Sequence, residues 1–114
     1  MKDSISFFDF EKIDIRAGTI ISAEINNKLT KSSIVLNIDF GKDIGVKKSS
    51  AQITKNYNTD KLIHKQIAAI VNFPPKQIGN LISEVLVLGF PDDENEPSLI
   101  SPDNINNIVS VIEE

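Results

Sequence analysis

Hydrophobic and polar positions alternate with period two over much of this chain, and that period predicts strands. In "IDIRAGTIISAEI", residues 13–25, Ile13, Ile15, Ala17 and Thr19 fall on one side and Asp14, Arg16 and Gly18 on the other. The β-branched content makes this the first strand, and Gly18 in its interior predicts a bulge or tight bend, as at a barrel corner. "SIVLNIDFG" (33–41) predicts a second strand closed by a turn glycine, "KDIGVKKSS" (42–50) a short third, "QIAAIVNF" (66–73) a fourth and "SEVLVLGF" (83–90) a fifth. "SLISP" (98–102) reads as a brief edge strand.

Helical signals are few and short. Ser6 is placed to cap a helix over "FFDFE", with Asp9 and Glu11 near its start. Phe7 and Phe10, three apart, then share a face, and core packing is their expected role. Ser49 and Gln52 stand in the S-x-x-Q spacing of a capping box, which predicts one or two helical turns directly after them. In the tail, Ile105, Ile108, Val109 and Ile112 have helix-like spacing, although their β-branched character suits a strand equally.

Pro74 and Pro75 remove two backbone donors and fix φ at both positions, so they end the fourth strand and stiffen its exit. Between them and the fifth strand lies a surface connection from Lys76 to Ser83, a place where a scaffold displays binding groups. The 114 residues form one domain, 1–114, long enough to bury roughly 65% of the unfolded surface. Five strands with a helical interruption between the third and fourth fit an all-β, five-stranded OB-fold barrel with short helical insertions and N- and C-terminal extensions. A β-sandwich is the competing architecture.

Charge adds an asymmetry. The net charge of −4 argues against simple, strong nucleic-acid binding, yet residues 42–82 hold seven lysines against Asp43 and Asp60, a net of +5 that leaves −9 on the rest. A basic middle of this kind can focus a positive field on one face. The absence of cysteine excludes a disulfide framework and thiolate metal sites and suits a reducing compartment. No stretch approaches the roughly 20 apolar residues of a membrane span, and the start lacks a signal-peptide pattern, so a cytoplasmic protein without membrane insertion is expected.

Candidates for catalysis are weak. His64 is the only histidine, and nothing near it in sequence supplies a metal set or a catalytic partner. Asp92, Asp93 and Glu94 form a dense carboxylate group without the spaced ligands and mid-loop glycine of a calcium loop. Ser49 and Ser50 lack a nucleophile elbow, and no phosphate-binding glycine motif occurs. The expectation is a non-enzymatic protein with no cofactor and no metal.

"DIRAGTI" (14–20), "IDFG" (38–41), "KKSSAQITKNY" (47–57), "NFPPKQI" (72–78) and "SEVLVLG" (83–89) occur in an order and spacing that resembles the tRNA-binding domain family related to the carboxyl-terminal domain of methionyl-tRNA synthetase, and within it the CsaA-like branch. The resemblance covers essentially the whole chain. It implies an OB-fold homodimer that binds tRNA or other structured RNA, and for the CsaA-like branch also unfolded or exported polypeptides in protein secretion. Carried over by position, it implies that Ser50, Gln52, Asn72 and Ser83 offer hydrogen bonds to RNA. Lys47, Lys48, Lys55 and Lys76 approach phosphates, and Arg16 is an ion-pair partner of Asp14 or Asp39. A peptide client would instead lie against Phe73, Ile78, Leu81 and Ile82. The chain departs from the family at Gln77, Asn80 and Ile82, where a basic residue, a glycine and a second basic residue are expected. Asn80 can take the left-handed conformation of the missing glycine, while the lost charges imply fewer phosphate contacts and an apolar patch at Ile82.

Overall fold

The computed structural model describes residues 1–28 and 32–104; the ambiguous tail segment 105–112 lies outside the described residues. Five antiparallel strands form one curled sheet in the order β3-β2-β1-β4-β7. These are β1 (Ile15–Asn26), β2 (Ser33–Asp39), β3 (Val46–Ala51), β4 (Gln66–Ile70) and β7 (Leu86–Val87). Two hairpins extend it: β5 (Lys76–Ile78) with β6 (Leu81–Ser83), and β8 (Gly89–Pro91) with β9 (Pro97–Leu99). Two short helices, α1 (Phe7–Glu11) and α2 (Thr59–Leu62), complete the described chain. This is the expected all-β, OB-like architecture, with few and short helices.

The long β1 makes the curl. Its first part, Ile15–Thr19, pairs with β4, and its second, from Thr19 to Asn26, pairs with β2, so one strand serves both halves of the sheet. The register slips between Ile20 and Ser22, where Ile38 and Asn37 are the partners, leaving Ile21 as the extra, bulged residue. The bulge expected at Gly18 therefore sits three residues later. Gly18 serves instead as a point of close approach, since a Cβ there would lie 2.5 Å from Cγ2 of Ile38 and 2.6 Å from the Phe40 ring. It is the small residue that lets two core side chains reach the backbone of β1.

Curling brings the two ends of the sheet together. The Glu84 N–H donates to the Lys48 carbonyl at 2.7 Å, the Lys48 N–H to Glu84 Oε1 at 3.0 Å, and the Ser50 N–H to Ser83 Oγ at 3.0 Å. The core lies inside this curl. Alternate residues of β2, Ile34, Leu36 and Ile38, are fully buried and meet Ile20, Phe40, Ile53, Leu62, Ile67, Ala69 and Val85. On β1 the buried side is Gly18 and Ile20, while Ile15 and Ala17 are half-buried and Ile13 is exposed.

Three local expectations are corrected. Ser49 caps no helix: it lies in β3, buried, opposite Leu36, because the apolar row of β2 draws residues 47–51 into the sheet. The expected helical turns do follow Gln52, with the Tyr57 N–H bonded to the Ile53 carbonyl, and then α2 is capped by Asn58, whose Oδ1 accepts from the Lys61 N–H at 3.0 Å. Helix α1 has the predicted cap, Ser6, in a reciprocal box with Asp9, and its Phe7 and Phe10 rings stand 5.6 Å apart. No residue of α1 is buried, so core packing of these rings is not observed. The fifth strand, expected as one piece, divides at Leu88. The Leu88 N–H donates to the Ala68 carbonyl of the sheet, while the Leu88 carbonyl accepts from the Ile100 N–H, so the chain changes partner from β4 to β9.

Candidate nucleic-acid interface

The prolines after β4 start a two-stranded ribbon. Lys76 pairs with Ser83, Gln77 with Ile82 and Ile78 with Leu81, around a Gly79–Asn80 turn. The positive φ of 56° belongs to Gly79; Asn80 keeps an ordinary φ, so the missing family glycine is replaced by its neighbour rather than by Asn80 itself. The departing residues have local partners. Gln77 Nε2 donates to the Gly79 carbonyl at 2.7 Å, and Asn80 Oδ1 accepts from Asn26 Nδ2 at 3.1 Å, which ties the ribbon tip to the end of β1.

Strand alternation then sorts the ribbon's side chains. Lys76, Ile78 and Ser83 line a cleft of about 540 Å³ between the ribbon, the end of β3 and the 84–89 segment. Gln77 and Ile82, on the opposite face, do not line it, and Ile82 is exposed to solvent. Leu81 shares the register face of Ile78 but sits at the tip, outside the cleft. From β3 and its exit come Ser50 and Gln52, and from the link between β4 and the ribbon comes Phe73, half exposed. Four of the residues expected to hold RNA, Ser50, Gln52, Lys76 and Ser83, and two of those expected to hold peptide, Phe73 and Ile78, thus line one cleft. Its far wall, Val85, Leu86, Val87 and Leu99, is not among the residues singled out from the sequence. The alternation in "SEVLVLG" is a strand signal there, and only the partner change at Leu88 turns it into a cleft wall.

Several expected contact residues have other engagements. Asn72 accepts from the Asp14 N–H at 2.9 Å and donates to the Lys12 carbonyl at 2.7 Å, clamping the link between α1 and β1. Ser83 is buried, accepts from the Ser50 N–H and donates to the Val85 carbonyl at 3.4 Å. The Ser50 hydroxyl donates to Ser33 Oγ at 3.2 Å. Lys47 and Lys48, adjacent on β3, point to opposite sides of the sheet: Lys47 is half-buried on the side of Ser49, Lys48 exposed on the other. Lys55 lies at a second groove of about 600 Å³, 3.7 Å from Glu96. Arg16 is bidentate on Asp14, at 2.7 and 3.3 Å, and this hydrogen bonding holds its guanidinium pKa above the usual arginine value.

Among the described residues no group of three or more His, Cys, Asp or Glu is arranged to hold a metal ion, and no helix is long and apolar enough to cross a membrane.

Residues 15–110 match the model of a family described as "Putative tRNA binding domain". The CsaA chaperone protein of Picrophilus torridus has a solved structure with 50% sequence identity and a TM-score of 0.84, covering 90% of this chain and 94% of that one. The chaperone CsaA of Bacillus anthracis str. Ames gives 44% identity and a TM-score of 0.86, covering 91% and 94%. The methionine–tRNA ligase of Methanococcoides burtonii is 35% identical over 106 residues, 93% of this chain but 15% of the ligase. This chain therefore spans a small fraction of the length of the curated relatives it matches.

Proposed function

This chain belongs to the putative tRNA binding domain family as a CsaA-like protein, and on that premise we propose that it is a non-enzymatic module binding tRNA or another structured RNA at the cleft beside the β5–β6 ribbon. The observation that carries this reading is the company Phe73 keeps. A half-exposed aromatic ring, the Lys76 ammonium and the Gln52 amide line one cleft. An unpaired base stacks on the ring, the amide reads its edge and the ammonium meets an adjacent phosphate. Ser83 and Asn72 act by holding β3, the ribbon and β1 in place.

Phe73→Leu is the direct test, because it keeps apolar area and removes the stacking surface. The expected cost in tRNA affinity is about 1–3 kcal/mol. Unchanged affinity would remove the base-stacking role.

A second reading is favoured by the aliphatic walls of the cleft and by the engagement of Lys55 with Glu96. In it the cleft holds an extended apolar segment of an unfolded or exported polypeptide, a chaperone activity in protein secretion. Suppression of client aggregation by wild type, reduced in Ile78→Lys, is its expected signature; no suppression by wild type would count against it. Both readings include a cytoplasmic homodimer, supported by the exposed Phe7 and Phe8 of α1, which a second copy would cover. Sedimentation at micromolar concentration should give twice the 12.6 kDa monomer mass.

A further inference from the structure

The acidic loop between β8 and β9 is built against the helical insertion. Asp92 Oδ1 accepts from the Glu94 and Glu96 N–H groups, both at 2.9 Å, and its Oδ2 accepts from Asn56 Nδ2 at 2.9 Å. Asn56 also donates to the Pro97 carbonyl at 3.2 Å, and the Asp92 N–H donates to the Glu96 carbonyl at 2.8 Å. These bonds deliver Glu96 to Lys55. They also place Glu94 and Glu96 in the second groove, which shares Gln52 and Pro97 with the main cleft.

We propose that this Asp92–Glu96 turn is a charge filter at one end of the RNA cleft: Glu96 occupies Lys55, and the carboxylates beside it turn phosphates away, so RNA is confined to the Lys76 end. The inference rests on the RNA reading above. The Lys55–Glu96 pair is exposed on the lysine side and weak in itself, as such pairs are. Its effect on a polyanion comes from placement. An RNA strand leaving the cleft past Gln52 enters the second groove, which Glu94 and Glu96 line and where Lys55 is paired with Glu96; exposed charges there act over a Debye length, about 8 Å at physiological salt. The Asp92 carboxyl is kept below the usual aspartate range chiefly by the Glu96 N–H and then by Asn56, and a turn held by these bonds does not swing aside as a free loop would.

Glu96→Gln tests the filter, because it is nearly isosteric and leaves both backbone bonds of Glu96 to Asp92 in place. Titrated with tRNA at low salt, it should bind about two- to fivefold more tightly than wild type, the range of one exposed ionic contact. Its affinity should fall more steeply with salt, by about 0.7–0.9 in log-log slope for one additional phosphate neutralised. Adding Lys55→Ala should erase both effects. Wild-type binding with Glu96→Gln indistinguishable from it, or tighter binding that survives Lys55→Ala, would overturn the filter and leave the RNA reading standing. No tRNA binding by either protein would overturn both.

Discussion

At the scale of single residues, polar side chains that resemble ligand contacts turn out to hold the chain to itself. Asn72 spends its carbonyl and its amide on the backbone at residues 14 and 12. Asn72→Ala should lower unfolding stability in urea by about 0.5–1.5 kcal/mol, the net worth of a hydrogen bond whose groups water can reach. A wild-type urea midpoint combined with weakened RNA binding would instead make Asn72 a direct contact. Gly18→Ala is a different kind of defect, since the new methyl would overlap Ile38 and Phe40. It should destabilise by about 1–3 kcal/mol through overpacking, read in the same titration. Asp92 carries a pH signature. Its folded pKa is depressed by hydrogen bonds to its charged form, so the stability it contributes is present above the unfolded value, about 3.9, and disappears as pH falls through the lower folded value. The melting temperature of Asp92→Ala should therefore lie below wild type at neutral pH, and the gap should close in acid.

At the scale of elements, what was legible in the sequence was what depends on neighbours along the chain. The alternation of β2 and the Ser6 cap follow from local residues and both are observed, whereas β4 ends at Ile70, three residues short of the end expected at Phe73 before the prolines. What was not legible depends on partners far away. Ser49 and Gln52 have a capping spacing, yet hydrogen bonding to β2 outweighs it. The 83–90 run looks like one strand, and the competition between β4 and β9 for its backbone splits it. The closure of the sheet is of this second kind, resting on Ser83, Glu84, Lys48 and Ser50. Ser83→Ala should speed hydrogen exchange at the Ser50 amide while leaving β1–β2 amides protected, because only the seam loses a bond. Equal protection at Ser50 in variant and wild type would show that the seam does not depend on that hydroxyl.

At the scale of the whole molecule, a basic middle on an acidic chain does not gather all of its lysines on one face. Lys47 and Lys48 part to opposite sides of the sheet, Lys55 meets Glu96, and Lys76 reaches the cleft. Charge counting along the sequence finds the surplus, and folding decides which part of it can meet a phosphate. The same holds for the site. Its ribbon side was legible in "NFPPKQI", whereas its far wall exists only because distant segments meet. With the lysines so divided, the proposed RNA binding would rest on a small number of phosphate contacts, each with a measurable share of the salt dependence. The measurement that tests this most directly is tRNA binding by wild type and Lys76→Ala across a series of salt concentrations. A linear log-log decline for wild type, made shallower by about 0.7–0.9 in Lys76→Ala, is the predicted result; an affinity indifferent to salt and to the loss of Lys76 would contradict it.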